Sequence, residues 1–153
     1  MAIDFNPEDL ITPIGRDDIN DGFLRLLVGC VNKFGIQIPI TLHAHGMLIS
    51  GIVIANHKFF EAERNKIING SPKDDDAGSA LAEVFQQWQT RMEQENADPD
   101  KDVFDDRVTF IHLREAQFFV PGQAPIPQRP IHWRAKLAEI SGFSLGQLAV
   151  DPS

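Results

Sequence analysis

The chain has 153 residues, of which 42% are hydrophobic and 24% are charged, and its formal net charge is −8. These proportions are typical of one globular domain and argue against a disordered chain. The negative charge is concentrated in residues 61–106, which hold thirteen acidic and five basic residues. Because nucleic-acid phosphates are bound by clustered lysine and arginine, this distribution argues against a general nucleic-acid-binding surface.

Several short features narrow the class of protein further. Cys30 is the only cysteine, so an intrachain disulfide and a thiolate zinc cluster are both excluded, and its apolar surroundings predict a buried, inert thiol. The first ten residues contain no basic segment followed by an apolar run, and no window approaches the length of apolar sequence that crosses a bilayer. We therefore expect a cytoplasmic protein with no membrane contact.

The N-terminal part of the chain predicts an irregular leader followed by one helix. Residues 1–16 contain Pro7, Pro13 and Gly15 and are expected to be irregular. A helix is predicted over residues 16–35, because Asp17 or Asp18 can cap its start and Gly35 can end it. A stripe at helical spacing is expected to face the core: Ile19, Phe23, Leu26, Leu27, Cys30, Val31 and Phe34.

Residues 36–60 predict the first two strands. Apolar and polar residues alternate from Ile36 to His45, which indicates a strand with one buried face. Gly46 is predicted to make a turn. The following run, residues 47–55, is apolar at nearly every position and predicts a strand that is covered on both faces. Gly51 within it indicates a close approach of another backbone segment.

Residues 61–106 predict a helical, acidic insertion between the second and third strands. Helical spacing runs from Lys58 to Ile68, and a second amphipathic helix is predicted over residues 79–96, after a polar loop. The second helix carries an apolar stripe that either packs on the protein's own core or, if left uncovered, forms an interface. The candidate interface residues are Leu81, Phe85, Trp88 and Met92.

The last part of the chain, residues 107–150, predicts strands three to five. A strand pattern covers residues 107–122, and the proline-rich segment 121–130 is expected to run extended across the surface. The final segment divides at Ser141-Gly142 into two short strands. The predicted class is therefore α+β, mainly β with helices, in a single domain over residues 1–153.

The histidines raise the possibility of a metal site or a metal-dependent enzyme. His43 and His45 are two residues apart on a predicted strand, so both can leave the same face, and His57, His112 or His132 can supply a third ligand. The same two positions fall on the polar face of that strand, and no carboxylate or cysteine stands at ligand spacing nearby. Nucleophile and phosphate-loop motifs are also missing. We therefore prefer exposed strand surface and predict no catalytic residue, no metal site and no cofactor.

A basic stripe near the end of the chain is a candidate binding feature. His132, Arg134 and Lys136 share one face of a predicted strand, opposite Trp133 and Ala135. Such a stripe can contact an anion or an acidic partner. We prefer the simpler interpretation, in which it is the polar face of a barrel strand with no ligand.

The segment "ITLHAHGMLISGIVIANHKFFE" resembles the first half of the Sm/Sm-like signature. Leu42, Gly46, Gly51 and Val53 match that signature in type and spacing, and "FIHLREAQ" and "WRAKLAEI" resemble its third and fourth strands. The resemblance implies an Sm-like five-stranded small barrel behind an N-terminal helix, and a ring in which subunits pair their edge strands.

The same resemblance implies an RNA pocket that this chain keeps only in part. His57 and Glu61 stand where the family has aspartate and asparagine, and Arg134-Ala135 replaces its Arg-Gly pair. Only Arg134 of the pocket is retained, which argues against RNA as a partner. An Sm-like RNA-binding ring with a degenerate pocket is therefore the alternative function.

A longer resemblance covers most of the chain. The ordered blocks "NKFGIQIPITLHAHGMLISGIVIANHKFFE", "FIHLREAQFFVPG" and "WRAKLAEISGFSLGQL", around a helical acidic middle, are similar to the gas vesicle protein U family. This resemblance implies a non-catalytic accessory protein that assembles or organises gas vesicles through protein–protein contacts. The implied partners are further copies of this chain and other gas vesicle proteins.

Overall fold

A computed structural model describes residues 6–148 of the chain. Within them, four α-helices, one short 3₁₀ helix and five β-strands occur. In chain order they are α1 (Glu8–Gly15), α2 (Gly22–Phe34), β1 (Ile38–Ala44), β2 (Met47–Val53), α3 (Asn56–Gly70), α4 (Asp76–Ala97), β3 (Phe110–Phe119), β4 (Ile126–Lys136), the 3₁₀ helix (Leu137–Glu139) and β5 (Gly142–Leu145). The strands form one antiparallel sheet in the order β4-β3-β2-β1-β5.

The leader is more ordered than its prolines suggested. Residues 8–15 are helical, so the prediction of an irregular segment over residues 1–16 is wrong for this part, while residues 1–5 lie outside the described range. Glu8 and Asp9 occupy the first turn, where acidic side chains interact favourably with the helix dipole. Leu10 is buried and ties α1 to the rest of the protein.

Helix α2 begins later than predicted. Its N-cap is Asp21, whose carboxylate accepts hydrogen bonds from the backbone N–H groups of Phe23 and Leu24. Asp17 caps a preceding turn instead and forms an ion pair with the buried Arg25 at 3.1 Å. The predicted end at Gly35 is found, with φ of 69° and its N–H bonded to the Val31 carbonyl.

The later start changes which face of α2 is buried. Leu24, Val28 and Val31 point into the core, whereas Ile19 and Phe23 of the predicted stripe are 78% and 62% exposed. Ile19 lies before the first helical turn, and Phe23 lies on the outer face of α2. The core combines these α2 residues with buried side chains from β1, β2 and the segment after it, β3 and the segment around the 3₁₀ helix: Ile40, Leu42, Ala44, Ile49, Val53, Ala55, Ile111, Leu113, Ala116, Leu137 and Ile140. Trp133 and Ala135 of β4 and Phe143 of β5 are partly buried against them.

Strands β1 and β2 form the expected hairpin. Ile40, Leu42 and Ala44 are buried, as the alternation predicted. The turn consists of His45 and Gly46, both with positive φ (53° and 77°), which suits a tight two-residue hairpin. Strand β2 is covered on both faces for much of its length.

Gly51 lies where β2 meets an irregularity in β3. Ser50 pairs with Gln117 but Ile52 pairs with Arg114, so β3 contains one extra residue at this point, and Glu115 has a φ of 54°. A Cβ atom at Gly51 would lie 2.9 Å from the Arg114 carbonyl oxygen and 3.3 Å from the Ala116 Cα. The absence of a side chain at position 51 therefore allows the two strands to pack around the bulge.

Two predicted boundaries differ from the structure. The first insertion helix begins at Asn56, two residues before the predicted Lys58, and the strand region predicted over residues 36–60 ends at Val53. The second half of the proline-rich segment 121–130 belongs to β4, which starts at Ile126. Prolines are tolerated there because β4 is an edge strand and needs hydrogen bonds on one side only.

The α+β class is confirmed, but the sheet does not close into a barrel. In residues 6–148, β4 pairs only with β3, and β5 pairs only with β1, which leaves β4 and β5 as open edges. Strand β5 has four residues, and all four are paired with β1. The expectation of an Sm-like five-stranded small barrel is therefore not confirmed.

We expect Gly51→Ala to destabilise the protein by about 1–3 kcal/mol, because the new methyl group meets backbone atoms that cannot move independently. Gly142→Ala is the matched control, since Gly142 is also a strand glycine, and a methyl group added there would meet no other part of the described chain within 4 Å. Urea unfolding of both variants measures the difference. Equal stabilities would show that β2 and β3 separate at the bulge without cost.

Candidate functional site

The α3–α4 hairpin contacts the sheet through aromatic side chains. The rings of Phe59 and Phe60 lie 4.9 Å and 6.0 Å from the imidazole of His112 on β3. Phe60 also contacts Phe85 and Trp88 of α4, with ring centroids 5.9 Å and 6.5 Å away. Phe60 therefore joins the two helices of the hairpin to the sheet.

Three asparagines fix the start of α3 and the end of α4, about one helical turn from Phe60 along α3. The backbone N–H of Asn56, at the start of α3, donates to the Asn32 side-chain oxygen on α2 at 2.9 Å. The Asn56 side-chain oxygen in turn accepts a 2.8 Å hydrogen bond from Asn96 on α4. Since the N-cap residue Ala55 has no side-chain acceptor, Asn32 satisfies a helix-terminal donor that the local sequence leaves free.

A cavity of about 510 Å³ lies between the hairpin and the β3–β4 part of the sheet. Its apolar wall is formed by Phe60, Trp88, Met92, Val108 and Phe110. The rest of its lining is polar or charged and includes His112 and Arg134. Cavities of this size that combine apolar walls with polar groups are typical of small-ligand sites.

Arg134 is held in this cavity by a stacking contact and one hydrogen bond. Its guanidinium carbon lies 3.6 Å from the ring centroid of Phe110 and 5.8 Å from that of Phe60. Its Nε donates to Nε2 of His112 at 3.1 Å. Among residues 6–148, neither of its terminal nitrogens has a hydrogen-bond or ion-pair partner. Partial desolvation lowers the pKa of Arg134 from its ordinary value.

His112 is the buried partner that fixes this arginine. It is only 4% exposed. Burial, assisted by the positive charge of Arg134, lowers the pKa of His112 to about 3. The imidazole is therefore neutral at physiological pH, and its Nε2 can accept the hydrogen bond from Arg134.

The structure brings together predicted residues that the sequence placed in separate groups. Arg134 of the basic stripe lines the cavity beside Trp88 and Met92 of the candidate interface. Arg134 and Lys136 are both exposed on β4, but Lys136 does not line the cavity, and neither does the partly buried His132. Burial, together with the nearby Lys66, lowers the pKa of His132. The basic stripe is thus divided, and only Arg134 joins the cavity.

Both histidines of the pair are exposed, as predicted, but only His43 lies on the strand. His43 is exposed on β1, but His45 lies in the turn, so the two side chains are not successive positions on one strand face. His45 Nε2 instead approaches Glu139 at 3.5 Å. No group of three or more His, Cys, Asp or Glu side chains suited to a metal ion occurs in the described part of the chain.

Several residues of the site were not found from the sequence. Asn32, Asn56 and Asn96 were passed over, although a polar residue within an apolar helical pattern, as at Asn32, is a usable signal. Phe60 was assigned only to a helical stripe. His112 was considered only as a metal ligand, because its burial against α3 depends on how the hairpin folds back.

Part of the α4 stripe is left uncovered by the sheet. Leu81 and Val84 are each 49% exposed and Trp88 is 44% exposed, whereas Phe85 and Met92 are partly buried. These exposed residues recur at helical spacing, so they form one continuous apolar strip, here called the outer hairpin face (Leu81, Val84 and Trp88). Of the predicted interface, Leu81 and Trp88 lie on this face.

These elements define an α+β protein in which a helical hairpin is inserted into an open antiparallel sheet. A family model described as "Gas vesicle protein GvpU-like" matches residues 21–148, and the chain belongs to this family. The resemblance to the gas vesicle protein U family is therefore confirmed, and it supports a gas vesicle accessory role. No curated protein and no solved structure matched the chain.

In residues 6–148 no helix has the length and apolarity needed to cross a membrane.

The burial of His112 predicts a pH-dependent stability. Between its ordinary pKa of 6.5 and its folded value of about 3, the unfolded chain binds a proton at this position and the folded chain does not. Stability is therefore lost as the pH falls through this range. The variant His112→Gln keeps an acceptor for Arg134 but has no titrating group at this position. Between pH 7 and pH 5 we expect its free energy of unfolding to fall by about 2 kcal/mol less than that of the wild type.

Urea unfolding at the two pH values measures this difference. His57 and His132 also have pKa values lowered by burial, so some pH dependence remains in the variant. The exposed His43 provides the control, and His43→Gln should retain the wild-type pH dependence. Identical pH dependence in the wild type and His112→Gln would show that the folded protein protonates His112.

Proposed function

We propose that this protein is a non-catalytic interaction module that helps to assemble or organise gas vesicles. The observation that carries the proposal is the family match over residues 21–148. The structure supplies a surface for such a role, because the outer hairpin face leaves apolar side chains in solvent. Apolar strips of this kind mark protein–protein contact sites.

The outer hairpin face is the proposed contact with another gas vesicle protein. It belongs to the segment 61–106, which carries thirteen acidic and five basic residues. A partner surface that combines apolar residues with lysine or arginine would complement both the strip and the charge around it. The acidic insertion then steers the partner, and the apolar strip supplies most of the affinity.

We expect the wild-type protein to float with purified gas vesicles and the double variant Leu81→Ser/Val84→Ser to float about tenfold less, since two apolar contacts are lost. Both residues are outside the cavity lining, so the cavity is unchanged. The measurement is the amount of protein recovered in the buoyant layer.

The control for the flotation experiment is Ile11→Ser. Ile11 is 68% exposed on α1, so it matches the test residues in character and exposure but lies outside the hairpin. Retention of the double variant at the wild-type level would overturn the assignment of the docking face. Absence of the wild type from the buoyant layer would overturn the proposed function itself.

We also propose that the open sheet is Sm-like and that copies of the chain associate through its edges. An N-terminal helix followed by five antiparallel strands, with the Leu42, Gly46, Gly51 and Val53 pattern on the first two, supports this. Pro127 and Pro130 lack backbone N–H groups, so the part of β4 best able to pair is residues 131–136. Strand β5 carries the exposed Leu145 at the opposite edge.

Leu145→Lys is expected to reduce the mass of the wild-type oligomer in solution, because a lysine on an edge strand disfavours pairing with another strand. Leu145 is 65% exposed, so the folded chain should be little affected. Light scattering after size-exclusion chromatography gives the mass. Ile11→Lys serves as the control and should leave it unchanged.

A monomeric wild type would overturn the proposal of edge pairing. The RNA-binding alternative gains no support from the comparisons, and the retained Arg134 is engaged by Phe110 and His112 within the cavity.

A further inference from the structure

The cavity beside Arg134 has features that neither vesicle organisation nor self-association requires. Its charged lining consists of three cations, Lys101, Arg107 and Arg134, and two carboxylates, Glu95 and Asp105. This small excess of positive charge occurs in a chain whose net charge is −8. The lining is therefore electrostatically unlike the protein as a whole.

The two carboxylates already have cationic partners. Asp105 pairs with Arg107 at 2.9 Å, and Glu95 pairs with Arg91 at 3.3 Å. Within residues 6–148, no carboxylate lies in ion-pair distance of Arg134. Arg134 is thus the cation in the cavity lining that stacks on aromatic rings and has no negative partner.

The orientation of Arg134 is fixed before any ligand arrives. Its guanidinium carbon lies over the Phe110 ring at 3.6 Å from the centroid, and the hydrogen bond to His112 uses Nε. This leaves its terminal nitrogens as unused donors. A guanidinium presents such donors in the planar geometry that matches a carboxylate, and one held in place loses little conformational freedom on binding.

The walls around the guanidinium are suited to an apolar body. Phe60, Trp88 and Met92 line the cavity with Phe110. Its volume of about 510 Å³ is far larger than a carboxylate alone needs. A ligand that fills it would place a carboxylate on Arg134 and an aromatic or aliphatic group among these side chains.

We propose that this cavity binds a small monoanionic carboxylate with an apolar body, held by Arg134. Arg134 is the lining cation held in place by aromatic contacts, whereas Lys101, which among residues 6–148 also has no carboxylate within ion-pair distance, donates to the side-chain oxygen of Asn96 at 3.3 Å. The proposed ligand therefore places one carboxylate on Arg134. The inference goes beyond the accessory role and does not depend on it, since the cavity and the outer hairpin face can be altered separately.

The test uses 3-phenylpropionate and 3-phenylpropylamine, which share an apolar body and differ in charge. Isothermal titration of the wild-type protein with each, up to about 5 mM, should show binding of the acid and at least about tenfold weaker binding of the amine. Propionate, which lacks the ring, should also bind at least about tenfold more weakly than 3-phenylpropionate.

The matched variants are Arg134→Met and Lys136→Met. Both remove one positive charge from β4, but only Arg134 lines the cavity. Affinity for 3-phenylpropionate should fall at least about tenfold in Arg134→Met and stay within about twofold of the wild type in Lys136→Met.

Several outcomes would overturn the inference. These are absence of binding by the wild type, equal affinity for acid and amine, and equal losses in the two methionine variants. Competition by inorganic phosphate as strong as by 3-phenylpropionate would also overturn it, because the cavity would then be a general anion site. The comparison of acid with amine needs no variant, so a misfolded Arg134→Met would leave the inference fully testable.

Discussion

The arrangement of this protein depends on a histidine that is buried without charge between the sheet and the helical hairpin. His112 lies on β3, is covered by Phe59 and Phe60 of α3, and accepts the Nε hydrogen bond of Arg134 from β4. A protonated imidazole at this place would be desolvated and would face the arginine charge directly. Keeping it neutral allows the hairpin to pack on the sheet, and the cavity is the space that this packing encloses.

The hairpin is otherwise weakly anchored. Helix α3 has no fully buried residue, and α4 buries only Ala82, Gln89 and Asn96. Its attachment therefore relies on two sets of specific contacts. One is the group of aromatic side chains around Phe60, and the other is the set of asparagine hydrogen bonds around Asn56. A hairpin held in this way can keep an apolar outer face for a partner, because its own folding does not require that face to be covered.

The features relevant to function occupy parts of the molecule that meet at Trp88, which lies on the outer hairpin face and also lines the cavity. The outer hairpin face and the sheet edges are exposed surfaces suited to other protein chains, whereas the cavity is a concave site with one oriented cation. Membership of the GvpU-like family gives the exposed surfaces a context in gas vesicles. The cavity does not follow from that context, since its aromatic walls and its arginine suit a ligand much smaller than a protein surface.

The sequence by itself determined the elements whose signals are local. Alternation predicted β1, the apolar run predicted a doubly covered β2, Gly35 predicted the end of α2, and the ordered blocks predicted the family. Only the tertiary structure decided the start of α2, the face that it buries, and the meeting of Arg134 with Trp88 and Met92. Asp17 and Asp21 are both competent caps, and their choice depends on Arg25, which pairs with Asp17. Residues 88 and 134 lie on separate elements, so no spacing in the sequence could predict that the folded hairpin would place them around one cavity.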